Sequence, residues 1–214
     1  CYQPPADSPA PGARVRSPSA VVFGSFNNIA KLSASTLRAW SAILEAVPGS
    51  RLVLKSASLD FHETADRVLE AFEAFGIAAG RIEVRGWVAQ REAHLTMYED
   101  IDIALDSFPY NGTTTTCEAL WMGVPVVTRA GEAHMSRVGA TLLHAAGLDD
   151  LVTRSPARYV EAAVALSGDP ARRRELRSIL RRRLENSTLL DHAGFTRRLE
   201  QVYRDALLAA GARG

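Results

Sequence analysis

Cysteine is nearly absent from this chain. Only Cys1 and Cys117 occur in 214 residues, so no disulfide framework is implied and a cytoplasmic setting is expected. No apolar run approaches the ~20 residues that a membrane helix needs. The basic-then-apolar start of a signal peptide is missing too. Charge of either sign is not in excess. Lys and Arg number 25 against 24 Asp and Glu, a formal net charge of +1, which removes any whole-protein argument for a nucleic-acid or membrane partner. His134, His144 and His192 lack the spacing of metal ligands and no Cys/His cluster exists, so no metal is expected. No internal repeat is visible. The chain opens on Cys1 rather than Met, and residues 1–19 are rich in Pro. That stretch reads as a linker at a domain junction, in the middle of a longer polypeptide.

What is present is alternation. Apolar, β-branched stretches predict strands at 21–26, 51–55, 81–84, 101–105 and 124–128. Between them, helices are predicted from a cap at Ser33 or Ser35 through Val47, then at 62–75, 92–98, 115–122 and 136–146. Leu37, Trp40, Ile43, Leu44 and Val47 recur at helical spacing, and Gly76 and Gly147 stand where helices close. Strands and helices joined by short connections define an α/β, Rossmann-like parallel sheet over residues 20–150. Such a sheet binds ligands at the carboxyl ends of its strands. After Leu151 the alternation stops. Residues 157–166, 170–184 and 195–210 read as helices with no strand between them, so 151–214 is expected as a C-terminal helical segment packed on the lobe. Arg172, Arg173, Arg174, Arg181, Arg182 and Arg183 read as a solvated face, interrupted by Glu175 and Glu185. Trp40, Trp87 and Trp121 are expected in the core.

Residues 102–128 are the most informative part of the sequence. A strand ends in a Pro/Asn/Gly turn, Thr113 to Thr116 follow where a helix begins, and a second strand comes after. Hydroxyls and unpaired N–H groups at a helix start make an anion site. Glu118 is expected in the first turn of that helix, where a carboxylate suits a sugar diol. Together they describe a site for a phosphorylated, hydroxyl-rich ligand such as a nucleotide sugar. The same residues also describe an ordinary Thr-rich N-cap with a dipole-favoured Glu, and on physics alone that plainer reading weighs more. Asp102 and Asp106 share a strand face, and Asp106 reads as bracing the turn rather than binding a metal. Cys117 has no His fixed beside it and reads as a small buried residue.

A resemblance enters with the motifs taken in order: Phe23-Gly-Ser-Phe-Asn27-Asn28 and Lys31, Pro48 to Ser50, Gln90-Arg91 and His94, Asp102 and Asp106, 112–118, Gly123-Val-Pro125, Gly131-Glu132, then Arg137-Val138. Over nearly its whole length the chain resembles the catalytic C-terminal half of O-GlcNAc transferase-like proteins, including the plant SPINDLY type. The resemblance implies the C-terminal, donor-binding lobe of a GT-B glycosyltransferase that transfers sugar with inversion to a protein Ser or Thr hydroxyl. It implies an upstream acceptor-side lobe and helical repeat array, and neither cofactor nor metal. By the same resemblance, Lys31 is the catalytic lysine on the donor diphosphate and Asn28 a phosphate-side polar group. Thr114 and Thr115 hold the diphosphate, with Thr113 beside them. Glu118 binds the ribose, and Ala89, Arg91 and His94 receive the base. Thr113 stands where the animal enzymes have His, and the Gly-Thr-Thr-Thr-Thr-Cys-Glu run matches SPINDLY, which uses GDP-fucose. Ser136-Arg137-Val138 follows the animal pattern, which uses UDP-GlcNAc, and UDP-GlcNAc is the expected donor with GDP-fucose as the alternative. Two other readings compete, a transferase acting on a glycan, lipid or small molecule, and a binding module without turnover.

Overall fold

Short aliphatic and β-branched stretches set the frame of the molecule. Val22–Ser25 (β1), Arg51–Lys55 (β2), Ile82–Arg85 (β3), Ile103–Leu105 (β4), Val126–Arg129 (β5) and Val152–Thr153 (β6) pair as one parallel sheet in the order β3-β2-β1-β4-β5-β6. The structure is a computed structural model that describes residues 2–12, 16–17 and 20–211. Strands β1 and β4 are buried throughout, as expected of a parallel sheet covered on both faces. The covering helices are Ala34–Ala46 (α1), His62–Glu73 (α2), Arg91–Thr96 (α3), Thr114–Trp121 (α4), Val138–Ala145 (α5), Pro156–Ser167 (α6) and Pro170–Glu185 (α7), with His192–Gly211 (α8) at the end.

Local chemistry explains the boundaries. Ser33 Oγ accepts the Thr36 N–H at 3.1 Å and caps α1, and Ser155 and Asp169 cap α6 and α7 with Pro at the first helical position of each. Gly76 and Gly147 take positive φ just past α2 and α5, as the sequence predicts. The alternation predicts no strand beyond residue 151, and here the structure differs. β6 lies there, with Val152 and Thr153 paired to Thr128 and Arg129. Two residues carry no periodicity, so pattern alone does not reveal the strand.

Helix α6 packs on α1, β4 and β5, while α4 packs on α7. A buried chain of hydrogen bonds fixes the first of these layers. Trp40 Nε1 donates to the Tyr159 hydroxyl at 3.0 Å, and that hydroxyl donates to the Asp106 carbonyl at 2.9 Å. Tyr159→Phe removes both bonds and leaves a buried N–H and C=O without partners. Its expected cost is about 1–3 kcal/mol in urea unfolding, and wild-type stability would show that the chain contributes nothing.

The arginines of α7 correct the expectation of a solvated face. Arg173 and Arg177 are buried and Arg181 is half-buried. They fall one turn apart on the inner side of the helix. Arg173 donates to the carbonyls of Leu166, Ser167 and Arg16, and Arg177 to those of Ile101 and Gly12. Arg181 donates to Trp121 O at 2.9 Å and Pro9 O at 2.5 Å. Charge runs in sequence do not distinguish an arginine facing water from one facing backbone carbonyls. The Pro-rich start is therefore seated along α7, and Tyr2 N–H donates to Leu189 O at 3.0 Å.

Candidate functional site at the sheet crossover

The strand order turns back between β1 and β4. From β1 the chain moves outward to β2 and β3, then returns to lay β4 on the other side. Loops leaving two such strands part in opposite directions and open a crevice at their carboxyl ends. Residues 26–31 follow β1 and residues 106–113 follow β4, so both border this crevice.

A buried polar knot ties the two loops together. Asp106, 2% exposed, accepts from Gly112 N–H at 2.6 Å, from Thr128 Oγ1 at 2.6 Å and from Asn27 Nδ2 at 3.3 Å. Asn27 Oδ1 in turn accepts from Thr115 Oγ1 at 2.5 Å. A Cβ on Gly112 would lie 2.6 Å from Asn27 Oδ1 and 2.8 Å from two threonine hydroxyls, so the turn closes only with glycine there. Asp106 thus braces the turn, as the sequence suggests, and Asp102 is engaged at the opposite end of β4 by Val22 N–H and Arg16. Burial pushes the Asp106 carboxyl up to about 6, against the pull of its donors and of Lys31.

Lys31 reaches across the crevice. Its Nζ donates to Asn111 O at 3.0 Å and lies 4.2 Å from the centre of the Tyr110 ring. Desolvation lowers its pKa, and the charge of Asp106 opposes that shift. Asn111 comes two residues before Thr113, so the lysine and the threonine run share one turn. Thr113 and Thr114 are exposed at the start of α4, where Thr113 makes no side-chain cap. Their hydroxyls and the first N–H groups of the helix face outward together. Thr115 donates its hydroxyl proton to Asn27. Asn28 is exposed, and its Oδ1 caps a single turn at Ile29–Lys31 by accepting Ala30 N–H at 2.9 Å. Of the two neighbouring asparagines, the buried one is Asn27, one residue earlier.

Glu118 lies one residue deeper in α4 than the sequence predicts, just past the first turn, because the helix starts at Thr114. Its Oε2 pairs with His94 Nε2 at 3.0 Å and accepts from Tyr98 OH at 3.2 Å. Oε1 carries no protein hydrogen bond among the described residues. Phe26 stacks against both partners, with ring centres 5.9 Å from His94 and 4.4 Å from Tyr98. Burial and Glu118 raise the Tyr98 hydroxyl well above its ordinary value, so it acts as a donor. Ala89, on the loop entering α3, and Arg91, the first residue of that helix, are exposed. Trp87 corrects the expectation of a core position. It is 63% exposed on that loop, its N–H held by Asp60 at 3.1 Å, whereas Trp40 and Trp121 are buried. Cys117 is buried and its thiol is pushed up to about 11 by desolvation.

Sequence reasoning passes over Asn27, Phe26, Tyr98 and Asn111 as site residues. Asn27 and Asn111 carry the only available signal, since each sits just after a strand in a turn-forming context.

The doubly wound parallel sheet with this crevice has the architecture of the C-terminal lobe of a GT-B glycosyltransferase. The chain belongs to glycosyl transferase family 41, which it matches over residues 14–199. It is 42% identical over 205 residues to the probable UDP-N-acetylglucosamine–peptide N-acetylglucosaminyltransferase SPINDLY of Solanum lycopersicum, covering 95% of this chain and 22% of that protein. The UDP-N-acetylglucosamine–peptide N-acetylglucosaminyltransferase of Caenorhabditis elegans is 34% identical, with 86% of this chain and 16% of that protein covered. A mutant of the O-GlcNAc transferase of Thermobaculum terrenum superposes with a TM-score of 0.85 at 40% identity, covering 94% of this chain and 38% of that one. The chain therefore spans about a fifth of the plant relative's length (22%). No helix among the described residues is long and apolar enough to cross a membrane.

Proposed function

We propose that this chain is the donor-binding half of an enzyme that transfers a sugar from a nucleotide sugar to a Ser or Thr hydroxyl of a protein. One observation carries the reading. The Lys31 ammonium, the hydroxyls and N–H groups at the start of α4, and the open Oε1 of Glu118 border one crevice at the sheet crossover. Anion donors stand on one side and a diol acceptor on the other, the polarity of a nucleoside diphosphate. As the glycosidic bond breaks, negative charge builds on the diphosphate, and Lys31 with the α4 N-terminus offsets it without a metal. Thr113 and Thr114 supply the free hydroxyls, and Thr115 positions Asn27 behind them. Glu118 takes the ribose, oriented by His94 and Tyr98, while Ala89 and Arg91 border the base. Attack on the far face of the sugar gives inversion. The general base then comes from the upstream acceptor-side lobe or from the donor.

The exposed apolar stripe of α8, Phe195, Leu199, Val202, Tyr203, Leu207 and Leu208, is the seat that upstream lobe would cover. A helical repeat array ahead of it and a cytoplasmic setting belong to the same reading. UDP-GlcNAc is the favoured donor, since the tomato and nematode relatives are described as UDP-N-acetylglucosamine–peptide transferases. GDP-fucose is the second reading, because the exposed Thr113 brings no imidazole to the sugar side.

The 214-residue chain is expected to bind UDP or GDP weakly in metal-free calorimetry and to transfer no sugar, since half a cleft cannot hold both substrates. The absence of both heat and thermal shift at roughly millimolar nucleotide would sink the assignment.

A further inference from the structure

A cavity separate from the crevice lies further along the same rim, at the carboxyl ends of β5 and β6. It holds about 550 Å³, and its lining includes Phe108, Pro109, Arg129, Glu132, Ser136 and Arg154. Arg129 ends β5 and pairs in register with Thr153 of β6, so Arg154 follows one position on. Adjacent strands lie about 4.8 Å apart, which brings two guanidinium groups from distant positions to one opening.

The donors of these two side chains are left over by the fold. The Arg129 guanidinium lies over the Phe108 ring, 5.0 Å from its centre. Its Nε is buried and has no hydrogen-bond partner, and burying an N–H without an acceptor is costly. Arg154 is exposed, and among the described residues its side chain makes no hydrogen bond or ion pair. Glu132 is the carboxylate in the lining, exposed and paired with neither arginine. Arg154 also lines a neighbouring groove, where Glu161 and Asp150 are taken by Arg158 and Arg172.

The turn after β4 stands between this cavity and the crevice. The Asn111 carbonyl accepts from Lys31 on the crevice side. The Asn111 N–H donates to Met135 O at 2.9 Å, and its Nδ2 donates to Arg129 O at 3.5 Å. The crevice opens between β1 and β4, whereas the cavity lies beyond, at β5 and β6. A neutral sugar hydroxyl both donates and accepts, and calls for no cation. A guanidinium only donates, in a planar fork that matches the paired oxygens of a carboxylate or phosphate.

We propose that this cavity binds an oxyanion, a carboxylate or phosphate group held by Arg129 and Arg154. Two sources present such a group, an acidic side chain of a polypeptide lying along the rim and a free small anion. The proposal does not rest on the nucleotide-sugar reading, because neither arginine belongs to the donor site.

The test is calorimetric titration of the chain with inorganic phosphate, with succinate, and with a short Ser-containing peptide carrying either Glu or Gln at one position. Wild type is expected to bind one or more of the anions, and Arg129→Met or Arg154→Met to weaken that binding on the order of tenfold. Glu132→Gln is expected to tighten it about threefold by removing a like charge, a gain that a purely structural role for the arginines would not produce. Lys31→Ala should leave it unchanged. Loss in Lys31→Ala with none in the arginine variants would put the anion in the donor crevice and overturn the proposal. Preference for the Glu peptide over the Gln peptide, with phosphate and succinate unbound, supports the polypeptide source, and the reverse supports a free anion. No binding of any anion at roughly millimolar concentration overturns the site. Should Arg129→Met not fold, the exposed Arg154 carries the test, and unchanged affinity in Arg154→Met refutes the clamp. Failure of UDP and GDP to bind would sink the donor assignment and leave this site standing.

Discussion

Lys31→Ala in the enzyme that contains this chain is expected to lower turnover on the order of 10²-fold while changing donor affinity much less. The argument starts from where the ammonium is held. It bonds to the Asn111 carbonyl and lies over Tyr110, within the turn that delivers Thr113 to the start of α4. A charge fixed there before the donor arrives needs no reorganisation as the diphosphate leaves. Partial burial lowers its pKa, which reports weak hydration and hence a stronger field on a nearby anion. The bound donor already carries negative charge, so some ground-state binding is lost as well. The larger effect falls on the transition state, where more charge reaches the bridging oxygen. Single-turnover rates with the donor Kd measured separately would check this. Wild-type turnover in the alanine variant would remove Lys31 from the site, and an equal loss in Kd and rate would make it a ground-state contact only.

Much of the architecture is legible in the sequence because each layer leaves a period. The apolar runs that become β1, β2 and β5 and the helical spacing of Trp40, Ile43 and Leu44 are patterns of several residues, and the structure places them as expected. β6 has two residues and no period to read. The turn after β4 is legible through its Asn, Gly and Thr content, but its internal wiring is not. Nothing in spacing says that Asn27 rather than Asn28 faces Asp106, or that the Thr115 proton points inward. Those facts depend on contacts between residues some eighty positions apart. The α7 arginines show the same limit. Arg172 is ion-paired at the surface and Arg173, its neighbour, is buried among carbonyls, yet the two are identical in sequence.

Asp106 is where fold and site depend on the same atoms. Asp106→Ala is expected to destabilise the chain by about 3 kcal/mol at pH 7, because it strands the Gly112 N–H and the Thr128 hydroxyl in a buried space and leaves the Asn27 amide only Ser107 Oγ as acceptor. A pH dependence follows from the raised pKa. The folded value of about 6 stands above the ordinary 3.8, so between those limits the folded chain binds the proton that the unfolded chain has released. The contribution of this carboxyl is then fully present below about pH 3.8 and is lost as pH rises through 6. The gap between wild type and Asp106→Ala should therefore widen by about 2 kcal/mol between pH 7 and pH 4. Urea unfolding of both proteins across that range, with equal m-values as the control for two-state behaviour, measures it directly. A gap that narrows on acidification would mean that the three donors outweigh burial, and that Asp106 stays ionised below its ordinary range. In either case the alanine variant loosens the turn that carries Asn111, and with it the carbonyl on which Lys31 rests. Nucleotide affinity should fall together with stability in this variant, whereas Lys31→Ala is expected to leave stability within about 0.5 kcal/mol of wild type, as a half-buried lysine on a loop.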